Sequence, residues 1–309
     1  NGGSAPPACG GSKTVTWTVT SSCEPDVTCS AVFTVTTAPP VVLTCPANQT
    51  EPVCQTQAVI DAAYSAWLAL ASSDGGCNTS ISNNGGMAPP ACGGSKTVTW
   101  TVTSTCEPLV TCSAVFTVIA APAVTLNCPN NQVQASCQTQ GAIDSAYSLW
   151  LASASTVGGC NAALSHNGGT APPACGGSKT VTWTVTSSCE PSVTCSAVFS
   201  VTAPAAVNLK CPSNSGVSVY CLSQQQIDNL FADWLDDVEV TGGCNVSIAN
   251  DNTGAPSKCG GIKTVTFTVT STCDVTKTCS ASFFIPNQPP PSVNCPPEIT
   301  IGCDESILP

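Results

Sequence analysis

Thiols are the most abundant reactive groups in this chain, with 23 cysteines in 309 residues against a single histidine. Cys45, Cys54, Cys77, Cys92, Cys106 and Cys112 form a set of six that returns 83 residues later as Cys128, Cys137, Cys160, Cys175, Cys189 and Cys195. It returns again as Cys211, Cys221, Cys244, Cys259, Cys273 and Cys279. Cys9, Cys23 and Cys29 match the last three positions of the set, and Cys295 and Cys303 the first two. Two chemistries compete for such a set. Zinc needs four convergent ligands, which often arrive as C-x-x-C pairs or with histidines. No C-x-x-C occurs here, and a lone His166 cannot complete a site in every repeat. Disulfides need only an oxidising compartment, and modules of ~80 residues have cores small enough to require them. The cysteines therefore read as structural disulfides of an extracellular protein.

Other reactive groups are sparse. His166 is replaced by Asn83 in the preceding repeat, which excludes a repeated His-dependent site. Asp61, Asp144 and Asp228 recur, each early in an expected helix where a carboxylate favours the N-terminal dipole. Asp236, Asp237 and Glu239 gather acid in one repeat only, too little for the six to eight oxygens that calcium takes. Neither catalysis, a metal nor a cofactor is expected. The chain is 8% charged with a net charge of −11, and its seven cations, all lysines, cannot form the basic stripe that nucleic acid requires. No stretch of ~18 apolar residues is present to span a membrane. Thr97, Thr99, Thr101 and Thr103 make a row such as ice-binding surfaces use, but one row per repeat reads as the solvent face of a sheet. Asn48-Gln49-Thr50, Asn78-Thr79-Ser80 and Asn245-Val246-Ser247 are N-glycosylation sequons, meaningful only where the source cell has that machinery.

The elements that must position the cysteines follow from the same period. It divides the chain into repeats at 41–123, 124–206 and 207–290, flanked by the second half of a repeat at 1–40 and the first part of another at 291–309. The flanking pieces imply an array that continues beyond both ends. Within the first repeat Val41–Pro46 reads as a short strand, which Pro46 restricts to an edge or a strand start. Ile60, Tyr64, Trp67, Leu68 and Ala71 then recur at helical spacing, with Thr56 as a cap and Gly75-Gly76 as the exit. In the third repeat Ser223 and Gln226 have the spacing of a capping box. Strict alternation over Lys96–Thr103 and Thr111–Val118 predicts a hairpin. Trp67, Trp100 and Phe116 should form its core, with Trp150, Trp183 and Phe199 and then Trp234, Phe267 and Phe283 in the later repeats. Proline-bearing joins at 37–40, 120–123, 203–206 and 287–291 predict stiff connections and hence a rod.

The Cys-Pro opening, the Thr-Val-Thr-Trp-Thr-Val-Thr strand and the closing Thr-Cys-Ser-Ala-Val-Phe-Thr-Val resemble the hyalin-repeat (HYR) type of immunoglobulin-like domain. They are most similar to the HYR-like repeats of large surface adhesins of Bacteroidota, including the gliding-motility filament. The resemblance implies a mainly β fold of tandem disulfide-rich immunoglobulin-like domains. This chain departs from the pattern in carrying one inserted amphipathic helix per domain, and Cys106-Glu107-Pro108 where an acidic hairpin turn is usual. It also implies a cell-surface stalk whose partners are neighbouring repeats and an extracellular surface or polysaccharide. A multivalent carbohydrate-binding array is the alternative.

Six cysteines allow fifteen pairings within a repeat. If strand, helix and second strand cross the domain in turn, Cys54 and Cys92 share one end and Cys45, Cys77, Cys106 and Cys112 the other. That predicts Cys45–Cys112, Cys54–Cys92 and Cys77–Cys106, then Cys128–Cys195, Cys137–Cys175 and Cys160–Cys189, then Cys211–Cys279, Cys221–Cys259 and Cys244–Cys273, with Cys9 unpaired. The neighbour pairs Cys54–Cys77 and Cys106–Cys112 are the rivals. Cys45–Cys112 would lie across the load path and shield the residues between.

Overall fold

The computed structural model describes residues 3–300 and residue 302. Alternating Val and Thr make the first two strands, β1 (Gly11–Val19) and β2 (Val27–Val35), an antiparallel hairpin. The first repeat follows as β3 (Val42–Thr44), β4 (Gln49–Glu51), α1 (Gln57–Leu68), β5 (Ser72–Asp74), β6 (Ser80–Asn83), β7 (Gly94–Thr103) and β8 (Val110–Val118). The second has β9 (Thr125–Asn127), β10 (Gln132–Gln134), α2 (Gln140–Ala152), β11 (Ser155–Val157), β12 (Ala163–His166), β13 (Gly177–Thr186) and β14 (Val193–Val201). The third has β15 (Asn208–Lys210), β16 (Ser215–Gly216), α3 (Gln224–Asp236), β17 (Glu239–Thr241), β18 (Ser247–Asn250), β19 (Gly261–Thr270) and β20 (Lys277–Ile285). The chain is thus mainly β, with one helix in each full repeat.

In the first repeat four strands pair in the order β4-β8-β7-β6 and β3 pairs with β5 as a separate two-stranded sheet. The β4–β8 pairing is parallel, with Gln49 opposite Phe116 and Glu51 opposite Val118. Asn48 fixes that edge, its side-chain carbonyl accepting from the Val115 N–H at 2.8 Å. Asn131 does the same for Val198, and Asn214 for Ser282.

The alternation of β7 turns Val98, Trp100 and Val102 inward, and that of β8 turns Ala114, Phe116 and Val118 to the same side. Helix α1 lays Ile60, Tyr64 and Trp67 on this face, and Leu43 and Cys45 close its margin. Trp67 packs edge-on against Trp100 with ring centroids 5.1 Å apart, and its indole N–H donates to the Ala47 carbonyl at 2.8 Å. Burying such a side chain contributes about 1.5–3 kcal/mol, so the helix is held chiefly by these rings. Trp150, Trp183, Phe199, Trp234, Phe267 and Phe283 are buried as well. On the opposite face Thr99 and Ser113 pair their hydroxyls at 2.8 Å, as do Thr182 and Ser196, so the threonine rows bond across their own hairpins.

Two local expectations need correction. Thr56 sits at the N-cap of α1 without a side-chain cap bond, whereas Ser223 and Gln226 form the full capping box of α3. Gly75-Gly76 is not the helix exit: α1 ends at Leu68, β5 intervenes, and the glycines (φ 75° and 67°) form the turn after it. A Cβ on Gly75 would collide with the Pro40 carbonyl, so that glycine serves the close approach of the linker.

Contacts divide the chain into two compact units, Asn1–Asn130 with Trp150–Gly168 and Val181–Ala197, and Asn131–Leu149 with Gly169–Thr180 and Val198–Pro309. The border does not follow the proline-bearing joins, because bonds described next tie residues of the second repeat to the first.

Candidate functional site: disulfide clasps between repeats

Chemistry in this molecule is concentrated where one repeat meets the next. At the first full junction Gly159 donates its N–H to the Pro122 carbonyl at 2.8 Å, and Ala121 donates to the Cys92 carbonyl at 3.2 Å. These bonds hold Cys160 and Cys92 against the linker. Cys54 lies there too, at φ 67°, a left-handed conformation that a non-glycine residue seldom adopts without a local reason. It bonds Cys160 (Cα–Cα 4.9 Å), and Cys92 bonds Cys189 (5.2 Å). Both separations suit a disulfide.

The same rule governs the other junctions. Cys137 bonds Cys244 and Cys175 bonds Cys273, with Cα–Cα distances of 5.0 and 5.1 Å. Cys9 bonds Cys106 at 5.1 Å. Within repeats only the first and last cysteines join, as Cys45–Cys112, Cys128–Cys195 and Cys211–Cys279. The second cysteine of a repeat thus reaches the third of the following repeat, and the fourth reaches the fifth.

Six expected pairs are corrected by this pattern: Cys54–Cys92, Cys77–Cys106, Cys137–Cys175, Cys160–Cys189, Cys221–Cys259 and Cys244–Cys273. Cys9, expected to be unpaired, is bonded. Cys54 and Cys92 do share one end of the repeat, but that end abuts the next linker, and each finds a partner across it. Cys221 and Cys259, the corresponding residues of the third repeat, are unbonded, as are Cys23, Cys29, Cys77 and Cys295. Cys303 lies outside the described residues.

Two features of the junctions were not anticipated. An acid follows the fifth cysteine at residues 24, 107, 190 and 274. Glu190 uses its carboxylate to accept from the Val124 N–H at 2.8 Å, and Asp274 from the Val207 N–H at 2.7 Å. The acid read from sequence as the loss of an acidic turn is therefore a brace for the incoming linker. The other feature is a glutamine at the start of each helix. Gln57 donates to Asp61 and to the Pro89 carbonyl and accepts from the Ala91 N–H, and Gln140 and Gln224 repeat the arrangement. Asp61, Asp144 and Asp228 thus serve as acceptors for these glutamines.

Backbone bonds from Val207 and Val275, with Lys277 nearby, hold the Asp274 carboxyl below the usual carboxylate range. A lowered folded pKa means that the brace is complete above the ordinary carboxylate value and is lost as pH falls through the depressed one. The Val207 amide resonance should therefore keep its hydrogen-bonded shift at neutral pH and move only as pH falls below the ordinary carboxylate value. Asp274→Ala should show the shifted resonance already at neutral pH. An unchanged Val207 resonance in that variant would refute the brace.

The remaining reactive side chains lie apart from one another. His166 pairs with Trp183 across the β12–β13 ladder, and its Nδ1 accepts from the Gly168 N–H at 3.2 Å. Glu239 faces Lys210 at 3.0 Å, on the surface. Among the described residues no three or more of His, Cys, Asp and Glu gather as metal ligands, and no helix is long and apolar enough to cross a membrane.

No family model matches the chain, and no curated protein matches its sequence. Solved structures that resemble it include a protocadherin gammaB7 cis-dimer structure, 10% identical over 88% of this chain and 82% of that one, with a TM-score of 0.33. An I-band fragment of titin is 9% identical over 79% and 98%, at 0.23. Immunoglobulin domains 1–5 of Sidekick-1 are 9% identical over 81% and 60%, at 0.26.

Proposed function

We propose that the chain is a load-bearing part of an extracellular adhesive stalk, built of HYR-like repeats and belonging to the class of large secreted surface adhesins that serve attachment or gliding. The observation that supports this reading is the bonding of each repeat to the next by two disulfides. An enzyme or a flexible tether gains nothing from bonds placed at every junction. A structure that must stay continuous under tension gains directly, because force then has a short covalent route from repeat to repeat that leaves most of each repeat unloaded. The low charge and hydroxyl-rich outer face suit a surface that meets water along its whole length.

The rival reading, a multivalent carbohydrate binder, needs the same concave site in every repeat. A groove of 450 Å³ between Gln57, Asp61, Tyr64, Ser65 and Met87 is the best candidate in the first repeat. Met87 is replaced by Thr170 and Gly254 in the others, so its wall of the groove is not reproduced. A glycan-array screen of the oxidised protein decides between them. A stalk retains no glycan class above background, whereas retention that weakens in a Tyr64→Ala variant would overturn the stalk reading in favour of recognition.

A further inference from the structure

Each junction between full repeats carries two disulfides, and they differ in how far solvent reaches their cysteines. In the clasps from second to third cysteine one partner is sealed, Cys160 being 1% and Cys244 2% exposed. The clasps from fourth to fifth cysteine have no sealed partner. Cys92 and Cys175 are exposed, and Cys189 and Cys273 are half-buried. The bond inside the first repeat is protected in another way, because Cys45 and Cys112 pack against the core.

Access decides which bond a thiol can open. In exchange a thiolate must reach one sulfur while the other leaves with the negative charge. At a sealed clasp the approach to Cys160 is blocked, and attack on Cys54 would put the charge on a buried sulfur, at the cost of holding an ion away from water. Cys92–Cys189 carries neither obstacle. A thiolate such as that of reduced glutathione attacks the Cys92 sulfur, forming a mixed disulfide and expelling the Cys189 thiolate. A second attacks the glutathione sulfur of that mixed disulfide and frees Cys92, so one protein disulfide becomes two thiols while two small thiols become oxidised glutathione.

The opened thiols stay framed on both sides of the junction. Ser187 Oγ accepts from the N–H of Cys160 at 3.1 Å and of Cys189 at 3.4 Å, and Ser271 does the same for Cys244 and Cys273. Across the junction Gln57, three residues after Cys54, accepts from the Ala91 N–H at 2.8 Å and so holds the residue next to Cys92. Gln140 holds Ala174 beside Cys175 in the same way. As long as Cys54–Cys160 is closed, these bonds keep Cys92 within reach of Cys189.

We infer that Cys92–Cys189 and Cys175–Cys273 are reversible exchange sites for small extracellular thiols, and that the sealed clasp of each junction keeps the freed pair together for re-closure. While the exposed clasp is open the junction is joined by its linker and one disulfide in place of two, so a reductant loosens it without parting it. The inference goes beyond the stalk reading and does not depend on it, since it follows from burial and hydrogen bonding at the junction alone.

The test starts from the folded 309-residue protein with its unbonded cysteines blocked by N-ethylmaleimide. Reduced glutathione is raised stepwise in a glutathione redox buffer, and the freed thiols are trapped with iodoacetamide and mapped by mass spectrometry. Cys92, Cys189, Cys175 and Cys273 should be labelled at least about tenfold faster than Cys54, Cys160, Cys137 and Cys244. Cys9–Cys106, a bond of the same fourth-to-fifth kind, should open with the faster set. Transfer to excess oxidised glutathione should restore the original pairs. In Gln57→Ala the re-closure of Cys92–Cys189 should slow about fivefold, the effect of one lost hydrogen bond, with Cys175–Cys273 in the same molecule as the control. Equal labelling of the two kinds of clasp, Cys54–Cys92 bonds after re-oxidation, or re-closure unchanged in Gln57→Ala would each overturn the proposal. None of these outcomes bears on the glycan screen, which tests the stalk reading separately.

Discussion

Pulled from its two ends while oxidised, a single molecule should release almost no contour between Cys9 and Cys273. The reason is a covalent route that runs through the clasps. From Cys9 the force crosses to Cys106, passes back along β7 to Cys92, crosses to Cys189, passes back along β13 to Cys175, and crosses to Cys273. Only the 14-residue steps from Cys92 to Cys106 and from Cys175 to Cys189 carry load as polypeptide, and both consist largely of strand that is already extended. At ~3.5 Å per residue that route is roughly 110 Å long, against roughly 900 Å for the same stretch with its disulfides reduced. The Cys45–Cys112 bond, expected from sequence to shield the domain, lies off this shortest route. Unfolding steps of a whole repeat in oxidised molecules would mean that the clasps between repeats are absent.

Cutting the backbone should not divide the molecule. A site-specific protease sequence inserted between Ala121 and Pro122 places the cut between Cys54 and Cys92 on one side and Cys160 and Cys189 on the other. The cleaved protein should still run as a single species near 31 kDa without reductant, and as two fragments with it. Had the cysteines paired inside repeats, as Cys54–Cys92 and Cys160–Cys189, the fragments would part at once. Appearance of two bands before reduction therefore refutes the clasps without any need to map them. Every peptide bond between Cys45 and Cys273 is bridged by at least two disulfides, so the result should hold for single cuts throughout that span.

Much of each repeat was legible because it rests on local periodicity. The alternation of Val98, Trp100 and Val102 against threonines marks a half-buried strand, and Ile60, Tyr64 and Trp67 mark the helix that covers it. Strand β4 was not legible, since a parallel edge of three residues held by one Asn48 side chain leaves no pattern to read. The disulfides failed for a different reason. In a repeat the second cysteine of one copy looks like the second of every other, so sequence shows which positions are alike but not which copy each partner belongs to. Counting from one end of the domain to the other placed Cys54 beside Cys92 correctly, and the assumption that bonds close within a domain then mispaired them. The linker brace left a recoverable sign in the acid that follows every fifth cysteine. Its meaning depends on a backbone N–H of the joint, and such a donor has no signature in sequence.

The separations of 97 to 107 residues between the clasp cysteines set an order in time. A repeat synthesised first can fold around its Trp67-type core as soon as its own 83 residues are complete, but Cys54 and Cys92 must remain thiols until the following repeat has been made and folded. The growing chain therefore always ends in a reduced, folded repeat that waits for its successor, with oxidation trailing folding by one step. Premature closure of Cys54 onto Cys92, which stand at the same end, would remove both attachment points for the next repeat. Fidelity of assembly then depends on how slowly an exposed pair of thiols oxidises compared with how quickly the next domain arrives.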